Sequence, residues 1–133
     1  MKIYLCGPIN GCTDDDAASW REWFKRNDDL QCVDPMRRDY RGGELENYRE
    51  IVELDKIDIQ NSDAIVVMYK HQSVGTSMEI LFAWSIGKPV ILIDECSGTI
   101  SPWLRYHATS IVRSKEKALE KIKEWFYDCN AGK

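Results

Sequence analysis

The chain lacks the patterns by which several kinds of binding site are recognised. Its five cysteines include no C-x-x-C pair, and neither of its two histidines has a cysteine or a second histidine close by in the sequence. The G-x-G-x-x-G spacing of dinucleotide-binding loops and the lysine of a Walker loop are also missing. Because zinc is bound by clustered Cys and His ligands, we expect no zinc site, and the missing loop motifs argue against a dinucleotide or nucleoside triphosphate site.

Long apolar runs and a secretory signal are missing as well. The longest apolar stretches are far shorter than the roughly 20 residues that a membrane-spanning helix needs. Met1–Leu5 leads directly into a β-type run, without the apolar core and cleavage site of a signal peptide. We therefore expect a cytoplasmic protein with no membrane partner, whose odd number of cysteines are reduced thiols that mostly fill the core.

An excess of positive charge is absent too. The formal net charge is -4, which argues against a nucleic-acid polymer as a partner. Arg37, Arg38 and Arg41 do form a basic cluster, but Asp34 and Asp39 lie among them. The cluster is therefore more typical of a loop that holds a small anion.

What the chain does contain is an alternation of strand and helix patterns. Its 133 residues fit a single domain over 1–133. The pattern predicts an α/β fold, Rossmann-like or flavodoxin-like, with about five parallel strands and helices on both faces. The predicted strands are Lys2–Cys6, Leu30–Val33, Asp63–Tyr69, Pro89–Ile93 and a short one near Ser110–Val112, and the predicted helices are Asp14–Arg26, Glu44–Asn61, Ser77–Ile86 and Ser114–Cys129.

The third strand is followed by a glycine-containing loop and a carboxylate, Glu79. Ligands bind at such junctions in open α/β sheets, outside the carboxyl ends of the strands. Two interpretations are equally open from this motif alone. Glu79 could form a capping box with Thr76 in the first turn of the helix, or it could act in catalysis, where the helix N-terminus would favour its ionised form.

A second unusual carboxylate lies on the predicted helix Glu44–Asn61. At helical spacing, Asp55 falls inside an apolar stripe, whereas Lys56 falls on the opposite polar face with two glutamates. A carboxylate on a buried face is costly unless another group bonds it or uses it. Asp55 could therefore accept hydrogen bonds from a loop backbone, or it could act in an active site. The apolar stripe consists of Leu45, Tyr48, Ile51, Val52 and Ile59.

The first strand leads into a third candidate segment, the loop Gly7-Pro8-Ile9-Asn10-Gly11. Backbone N–H groups in such a loop can approach a phosphate or a sugar. A Gly-Pro turn is also compatible with a purely structural role.

Taken together, these segments resemble the nucleoside 2-deoxyribosyltransferase superfamily, which includes the 2'-deoxynucleoside 5'-monophosphate N-glycosidases. The resemblance covers nearly the whole chain in order and spacing. It rests on Tyr4-Leu5-Cys6-Gly7-Pro8-Ile9, on Asp55 followed by Ser62-Asp63-Ala64-Ile65-Val66, on Gly75-Thr76-x-x-Glu79 and on Gly87-Lys88-Pro89-Val90.

The resemblance implies roles for three residues. Glu79 would be the nucleophile that forms a covalent glycosyl-enzyme, as in retaining glycosidases. Asp55 would orient the sugar or the nucleophile, or handle the proton on the leaving base. Tyr4 would contact the nucleophile or the sugar near C1'. The resemblance implies no cofactor, and it implies a small nucleotide or nucleoside as the partner.

The resemblance also addresses the choice between hydrolase and transferase. Nucleoside transferases of this kind place an acidic residue six positions before the nucleophile, and the monophosphate hydrolases place a serine there; this chain has Ser73. The segment Ser97–Ser101 is similar to one that reaches the phosphate from a neighbouring subunit, although Ser101 also fits the N-cap of a short helix. The resemblance thus implies a homodimer or larger homo-oligomer with shared sites, and substrate contacts from Gly7, Ile9, Asn10, Gly11, Ser73, Gly75 and Ser101.

The sequence therefore predicts an N-glycosidase that acts on a (deoxy)nucleoside 5'-monophosphate. One alternative is a 2-deoxyribosyltransferase that exchanges bases. Another is the cytokinin-activating phosphoribohydrolase group, which shares G-T-x-x-E but has a preceding Pro-Gly-Gly that this chain lacks. A third is a non-catalytic nucleotide-binding domain, since a fold does not determine a function.

Overall fold

The computed structural model describes residues 1–9, 11–96 and 98–131, with side chains up to residue 125 in the last helix. The strands are β1 (Lys2–Cys6), β2 (Gln31–Val33), β3 (Ala64–Tyr69), β4 (Val90–Asp94) and β5 (Ser110–Val112). The helices are α1 (Asp14–Lys25), α2 (Glu44–Gln60), α3 (Val74–Ser85), α4 (Pro102–His107) and α5 (Lys115–Ala131), with a 3-10 turn at Pro35–Arg37.

The described strands form one sheet in the order β2-β1-β3-β4-β5, and every neighbouring pair is parallel. This is the flavodoxin-like order, in which the direction of winding reverses between β1 and β3. Tyr4 pairs with Ile65 across that junction. The predicted fold class is confirmed, and the reversal places a crevice at the carboxyl ends of β1 and β3.

Alternate residues of the strands pack into two apolar layers, one on each face of the sheet, as expected for parallel strands. On one face, α1 and α5 cover Ile3, Leu5 and Val66. On the other face, α2, α3 and α4 contribute Ile59, Ile80, Ala83 and Leu104 to a layer that also contains Tyr4 and Cys6. Tyr4 and Cys6 therefore share a layer with α2 and α3, the helices that carry the two candidate carboxylates.

Helix α3 begins three residues earlier than the sequence predicts. Ser73 is its N-cap, and the Ser73 hydroxyl oxygen accepts a hydrogen bond from the backbone N–H of Thr76 at 3.3 Å. The capping box between Thr76 and Glu79 is therefore excluded, because Glu79 lies in the second turn. The cap predicted for α1 is confirmed, since the Thr13 side chain accepts from Asp16 N at 3.1 Å.

The burial of helix α2 differs from the prediction. Its apolar stripe was expected to be buried, yet Leu45 is 89% exposed and Tyr48 and Val52 are also exposed. Ile59, near the end of the helix, is buried. The backbone departs from helical geometry at Asn47 (φ -108°, ψ 15°). Much of the stripe is therefore uncovered within one subunit. None of the described helices has both the length and the apolar character of a membrane span.

Candidate active site

A cavity of about 970 Å³ opens at the edge of the sheet where the sequence predicts a ligand. Its walls are the loops that follow β1, β2 and β3, together with residues of α2 and α3. Glu79 and Asp55 both line it, so the fold brings the two candidate carboxylates to one space. The cavity lies at the topological switch point, the usual ligand position in this class of sheet.

Glu79 is half-buried, and its Oε2 atom is buried without a hydrogen-bond partner among the described residues. Burial raises the pKa of Glu79 to about 7, and the charge of Asp55 adds to the increase. Contact with Tyr4, the charge of Arg21 and the thiol of Cys6 act in the opposite direction. The expected stabilisation of the ionised form by the helix N-terminus is wrong, because Glu79 lies beyond the first turn and desolvation dominates.

Tyr4 is fully buried in β1, beside Glu79. Burial and then the charges of Glu79 and Asp55 raise the pKa of Tyr4 well above its usual value, so its hydroxyl group stays neutral. Its oxygen finds no hydrogen bond of ordinary length and angle in the described part of the chain. Buried polar atoms are nearly always hydrogen-bonded. Two such atoms without a partner within the residues described, Tyr4 Oη and Glu79 Oε2, belong to neighbouring side chains, and Glu79 lines the cavity, so Glu79 is a candidate to bind a ligand's hydroxyl group.

Asp55 has more polar surroundings than Glu79. Its side chain is 23% exposed, and its Oδ1 atom lies 3.5 Å from Arg38 Nη2. Burial raises the pKa of Asp55 to about 6; the charge of Arg38 opposes the increase, and the charge of Asp58 adds to it. Since Asp55 and Glu79 influence each other, their protons are lost as a coupled pair close to neutral pH.

Asp58 holds Arg38 next to Asp55. Its two carboxylate oxygens accept hydrogen bonds from Arg38 Nη2 at 2.6 Å and from Arg37 Nη2 at 2.8 Å. Burial would raise the pKa of Asp58, but the hydrogen bonds from Arg37 and Arg38 outweigh it and lower the pKa. Asp58 therefore stays ionised and fixes the orientation of Arg38.

Ser73 and Gly75 line the cavity at the start of α3. Ser73 Oγ accepts the capping bond from Thr76 N, which leaves the Ser73 hydroxyl proton available to donate. Apart from the adjoining backbone, no atom of the described residues lies within 4 Å of the position that a Cβ would take at Gly75. The N–H groups of a first helical turn have no partner within the helix, so this end of the cavity offers hydrogen-bond donors to an anion.

The loop after β1 lies beside the same end of the cavity. Gly7 and Ile9 line it. A Cβ at Gly7 would lie 2.9 Å from a ring carbon of Trp20 and 3.3 Å from the Met68 carbonyl oxygen, so the close packing here requires glycine. Gly11 has a φ of 79°, the left-handed region that favours glycine, and does not line the cavity. Asn10 lies outside the described residues.

Ser101 is placed elsewhere within one subunit. It is the N-cap of α4, and its Oγ accepts from Trp103 N at 3.2 Å. The N-cap interpretation is therefore confirmed. Ser101 lines a second cavity of about 620 Å³, which shares Ser73, Met78 and Leu81 with the first. A role for Ser101 at Glu79 stays a prediction that requires a second subunit, and Ser97 lies outside the described residues.

The three arginines of the basic cluster form ion pairs with aspartates of the same chain. Arg41 forms ion pairs with Asp39, at 2.6 Å, and with Asp14. Arg37 and Arg38 pair with Asp58. These contacts reduce the positive charge that the loop can present to an anion, although both Arg38 and Arg41 line the cavity.

No cluster of three or more metal-ligating side chains occurs in the described ranges. Cys12 Sγ does lie 3.7 Å from His71 Nε2, a proximity that the sequence spacing conceals. Cys6, Cys12, Cys32 and Cys96 are free thiols, of which only Cys6 is fully buried. The side chain of Cys129 is outside the described part.

Several residues of the site escaped the sequence analysis. Lys56 was assigned to the polar face of α2, but it lines the cavity, and its ammonium group lies 5.3 Å from the centre of the Phe82 ring. The pairing of Asp55 with Arg38 has no local signal, since the two residues meet only through the fold. Arg21 did have a local signal in the sequence, because it interrupts the apolar stripe of Trp20 and Phe24 on α1.

Comparisons with known proteins agree with the fold. The family model described as nucleoside 2-deoxyribosyltransferase matches residues 3–122. A search of curated proteins gave no significant match. A 2-deoxyribosyltransferase from Bacillus psychrosaccharolyticus has a similar structure, with a TM-score of 0.74 and 18% identity over 89% of this chain and 90% of that chain.

Two further solved structures are similar. A conserved protein from Enterococcus faecalis V583 gives a TM-score of 0.69 and 19% identity, over 92% of this chain and 97% of that chain. The CMP N-glycosidase BcmB of Clostridium botulinum gives a TM-score of 0.59 and 15% identity, over 92% of this chain and 99% of that chain. Identities this low establish a common fold rather than a common substrate. On the match to the family model, which spans most of its length, the chain belongs to the nucleoside 2-deoxyribosyltransferase family, a group of N-glycosyl transferases and hydrolases.

Proposed function

We propose that this chain hydrolyses the N-glycosidic bond of a (deoxy)nucleoside 5'-monophosphate, releasing the free base and a sugar 5-phosphate. The main support is the meeting of Glu79 and Asp55 at one cavity, with a neutral Tyr4 beside Glu79 and the pKa values of both carboxyl groups raised toward neutrality. Carboxyl groups with such pKa values can exchange protons and attack a sugar carbon at neutral pH.

In the proposed reaction, the ionised Glu79 attacks C1' of the sugar. The bond between C1' and the base nitrogen breaks, and its electron pair leaves with the base. Asp55 donates a proton to that base. Water, deprotonated by the Asp55 carboxylate, then attacks C1' and releases Glu79. Both steps pass through an oxocarbenium-like transition state, as in retaining glycosidases.

Tyr4 has a positioning role in this scheme. Its neutral hydroxyl group lies next to the Glu79 carboxylate and donates a hydrogen bond to it or to the sugar. Because the pKa of Tyr4 is raised far above neutrality, the group keeps its proton throughout the reaction.

The start of α3 supports a phosphate rather than a hydroxyl group at the 5' end. The Ser73 hydroxyl group and the first-turn N–H groups can donate to a phosphate. A carboxylate in place of Ser73 would repel it by about 4 kcal/mol per charge pair at about 4 Å and an effective dielectric constant of about 20. The CMP N-glycosidase BcmB is by name a hydrolase of a nucleoside monophosphate. The Bacillus structure, by name a 2-deoxyribosyltransferase, represents the alternative.

A panel of nucleosides and their 5'-monophosphates, with base release followed by chromatography, tests the proposal directly. Two variants of one residue sharpen it: Ser73→Asp and Ser73→Asn both cap a helix well, but only aspartate adds a charge. We expect Ser73→Asp to lower the ratio of kcat/KM for a monophosphate to kcat/KM for its nucleoside by about 100-fold or more. Ser73→Asn should change that ratio far less.

An unchanged ratio in a folded Ser73→Asp protein would place the phosphate elsewhere. If the wild-type protein prefers nucleosides and transfers the sugar to an added base faster than to water, the transferase assignment replaces the hydrolase.

The proposal includes a homodimer or larger homo-oligomer. Large apolar side chains on α2, α3 and α4 are exposed, which is unusual for a monomer. Burial of this surface by a second copy would cover the cavity and could bring the partner's loop before α4 to it. The exposed side chains are Leu45, Tyr48 and Val52 on α2, Val74, Met78, Leu81 and Trp84 on α3, and Trp103 and Tyr106 on α4.

Complementation tests the shared site. If Glu79 and Ser101 of different subunits form one site, mixing inactive Glu79→Gln subunits with inactive Ser101→Arg subunits restores part of the activity. Each mixed dimer would then contain one site with both natural residues. Demonstrated subunit exchange without recovery of activity would contradict the shared site, and a monomer at all concentrations in sedimentation would contradict the assembly itself.

A further inference from the structure

A fully buried cation, Arg21, lies behind the active site. Arg21 is on α1, within the apolar stripe that contains Trp20 and Phe24, and none of its surface is exposed. Taking a charged side chain out of water costs several kcal/mol unless hydrogen bonds and an opposite charge compensate. A methionine would fill much of the same space without that cost, so the retained charge calls for an explanation.

The guanidinium group of Arg21 connects α1 to two loops of the cavity. Its Nη2 donates to the Gly7 carbonyl oxygen at 3.0 Å, and its Nη1 lies 3.6 Å from Met36 Sδ. Gly7 and Met36 both line the cavity. The guanidinium carbon also lies 4.5 Å from the centre of the Trp20 ring. Arg21 thus supports the loop after β1 and the turn after β2 at the same time.

The positive charge of Arg21 is only partly neutralised. Its Nε lies 3.6 Å from Asp34 Oδ1, without a hydrogen bond. Asp34 has closer partners of its own, since Lys25 Nζ lies 2.6 Å away and Met36 N donates to it at 2.9 Å. Asp34 would therefore still be paired with Lys25 if Arg21 were removed. Part of the electrostatic field of Arg21 is thus free to act on the active site.

We propose that Arg21 is a positioning residue of the active site, which holds the Gly7 loop in place and supplies the positive charge that stabilises the ionised Glu79 carboxylate. The inference rests on the proposed function, because it assigns Arg21 a use only if the ionised Glu79 is the reactive form.

The groups that face Glu79 support this role. They are Tyr4 and Cys6 from β1, Asp55 from α2 and Arg21 from α1. Of these, Arg21 carries the positive charge. Burial and Asp55 raise the pKa of Glu79, whereas Arg21 lowers it. Without Arg21 the Glu79 carboxyl group would therefore hold its proton to a higher pH.

Three variants separate the charge of Arg21 from its other contacts. Arg21→Gln removes the charge but leaves an amide that can donate to the Gly7 carbonyl group. Arg21→Lys keeps the charge and loses the planar fork. Lys25→Gln is the matched control, because it removes the nearer cation of Asp34 from the same helix, and Lys25 does not face Glu79.

Two readouts are used. The first is a pH titration of the Glu79 carboxyl carbon by ¹³C NMR, assigned with Glu79→Gln, which needs no turnover. The second is the pH profile of kcat/KM for base release. For Arg21→Gln we expect the Glu79 titration and the acidic limb of the profile to move up by about one pH unit. We expect little movement for Arg21→Lys and none for Lys25→Gln.

A folded Arg21→Gln protein in which Glu79 titrates as in the wild type would overturn the inference, and so would an equal shift in Lys25→Gln. If neither Arg21 variant folds, the residue is required for the fold alone and the positioning role is rejected. A shifted titration in a protein that releases no base would instead leave the electrostatic role of Arg21 intact and remove the proposed function.

Discussion

Glu79 and Asp55 face one cavity from different surroundings. The Glu79 carboxyl group has a buried oxygen without a hydrogen-bond partner in the part of the chain that the structure describes, whereas Asp55 is partly exposed and lies 3.5 Å from Arg38. Burial raises both pKa values, to about 7 for Glu79 and about 6 for Asp55. Two carboxyl groups are thus made chemically distinct by environment alone, as general acid and nucleophile pairs require.

The order of these pKa values sets up a competition between two assignments. By that order alone, the proton would rest on Glu79, and Asp55 would be the ionised nucleophile. The proposal nevertheless assigns the nucleophile to Glu79, because the sequence resemblance places it there. The following predictions distinguish the two assignments.

The largest effect is expected for Glu79→Gln. An amide cannot attack C1', so base release should fall by about 10⁴-fold or more. The same loss should be seen with every substrate, whatever its leaving group. Retention of near-normal base release in a folded Glu79→Gln protein would exclude Glu79 as the nucleophile.

Glu79→Gln should also change how stability depends on pH. The folded pKa of about 7 lies above the ordinary value of 4.5, so the native state binds the extra proton between these values. The stability that this proton contributes is complete below pH 4.5 and is lost as the pH rises through 7, by about 1.4 kcal/mol per pKa unit. The melting temperature of the Gln variant should therefore exceed that of the wild type at pH 8 but not at pH 4. A constant difference between the two proteins from pH 4 to pH 8 would contradict the raised pKa.

Asp55→Asn should lower base release by about 100-fold through loss of the proton donor. In the first turnover, which precedes the attack of water, the loss should largely disappear with a base that leaves without protonation, such as an N7-methylpurine. Removal of the Asp55 charge should also lower the pKa of Glu79 and move the acidic limb of the pH profile to lower pH. An equally severe loss in the first turnover with both kinds of leaving group would instead identify Asp55 as the nucleophile.

A smaller effect is expected for Arg38→Met. Since the charge of Arg38 lowers the pKa of Asp55, its removal should raise that pKa and shift the alkaline limb of the profile upward by up to about one pH unit. Arg37→Met is the control: it removes the other partner of Asp58 and acts less strongly on Asp55. Equal shifts in the two variants would show that Arg38 has no special place beside Asp55.

The sequence predicted the sheet and both carboxylates because the information is local. Short continuous apolar runs mark β1 and β3, and Glu79 and Asp55 stand out as charges among apolar neighbours. It misplaced the start of α3 because Val74 and Gly75 are weak helix formers, although Ser73 supplies a good cap. It also missed the pairing of Arg38 with Asp55, which depends on how a loop folds over a helix.

The stripe on α2 shows another limit. Periodicity correctly identified an apolar face that contains Leu45 and Val52, but a period does not say what covers that face. In one subunit much of it is exposed. The sequence analysis could therefore name the apolar residues of α2 without predicting that much of this face is exposed.

The most direct test of the account is the mass of the protein during turnover. A 2'-fluoro-arabinosyl nucleoside monophosphate slows hydrolysis of a glycosyl-enzyme, because the fluorine destabilises the oxocarbenium-like transition state. After rapid quenching, the account predicts a protein heavier by one fluorinated sugar phosphate, with the added mass mapped to the peptide that contains Glu79 and absent from Glu79→Gln. An adduct on Asp55, or continued base release from the analogue with no change in protein mass, would contradict it.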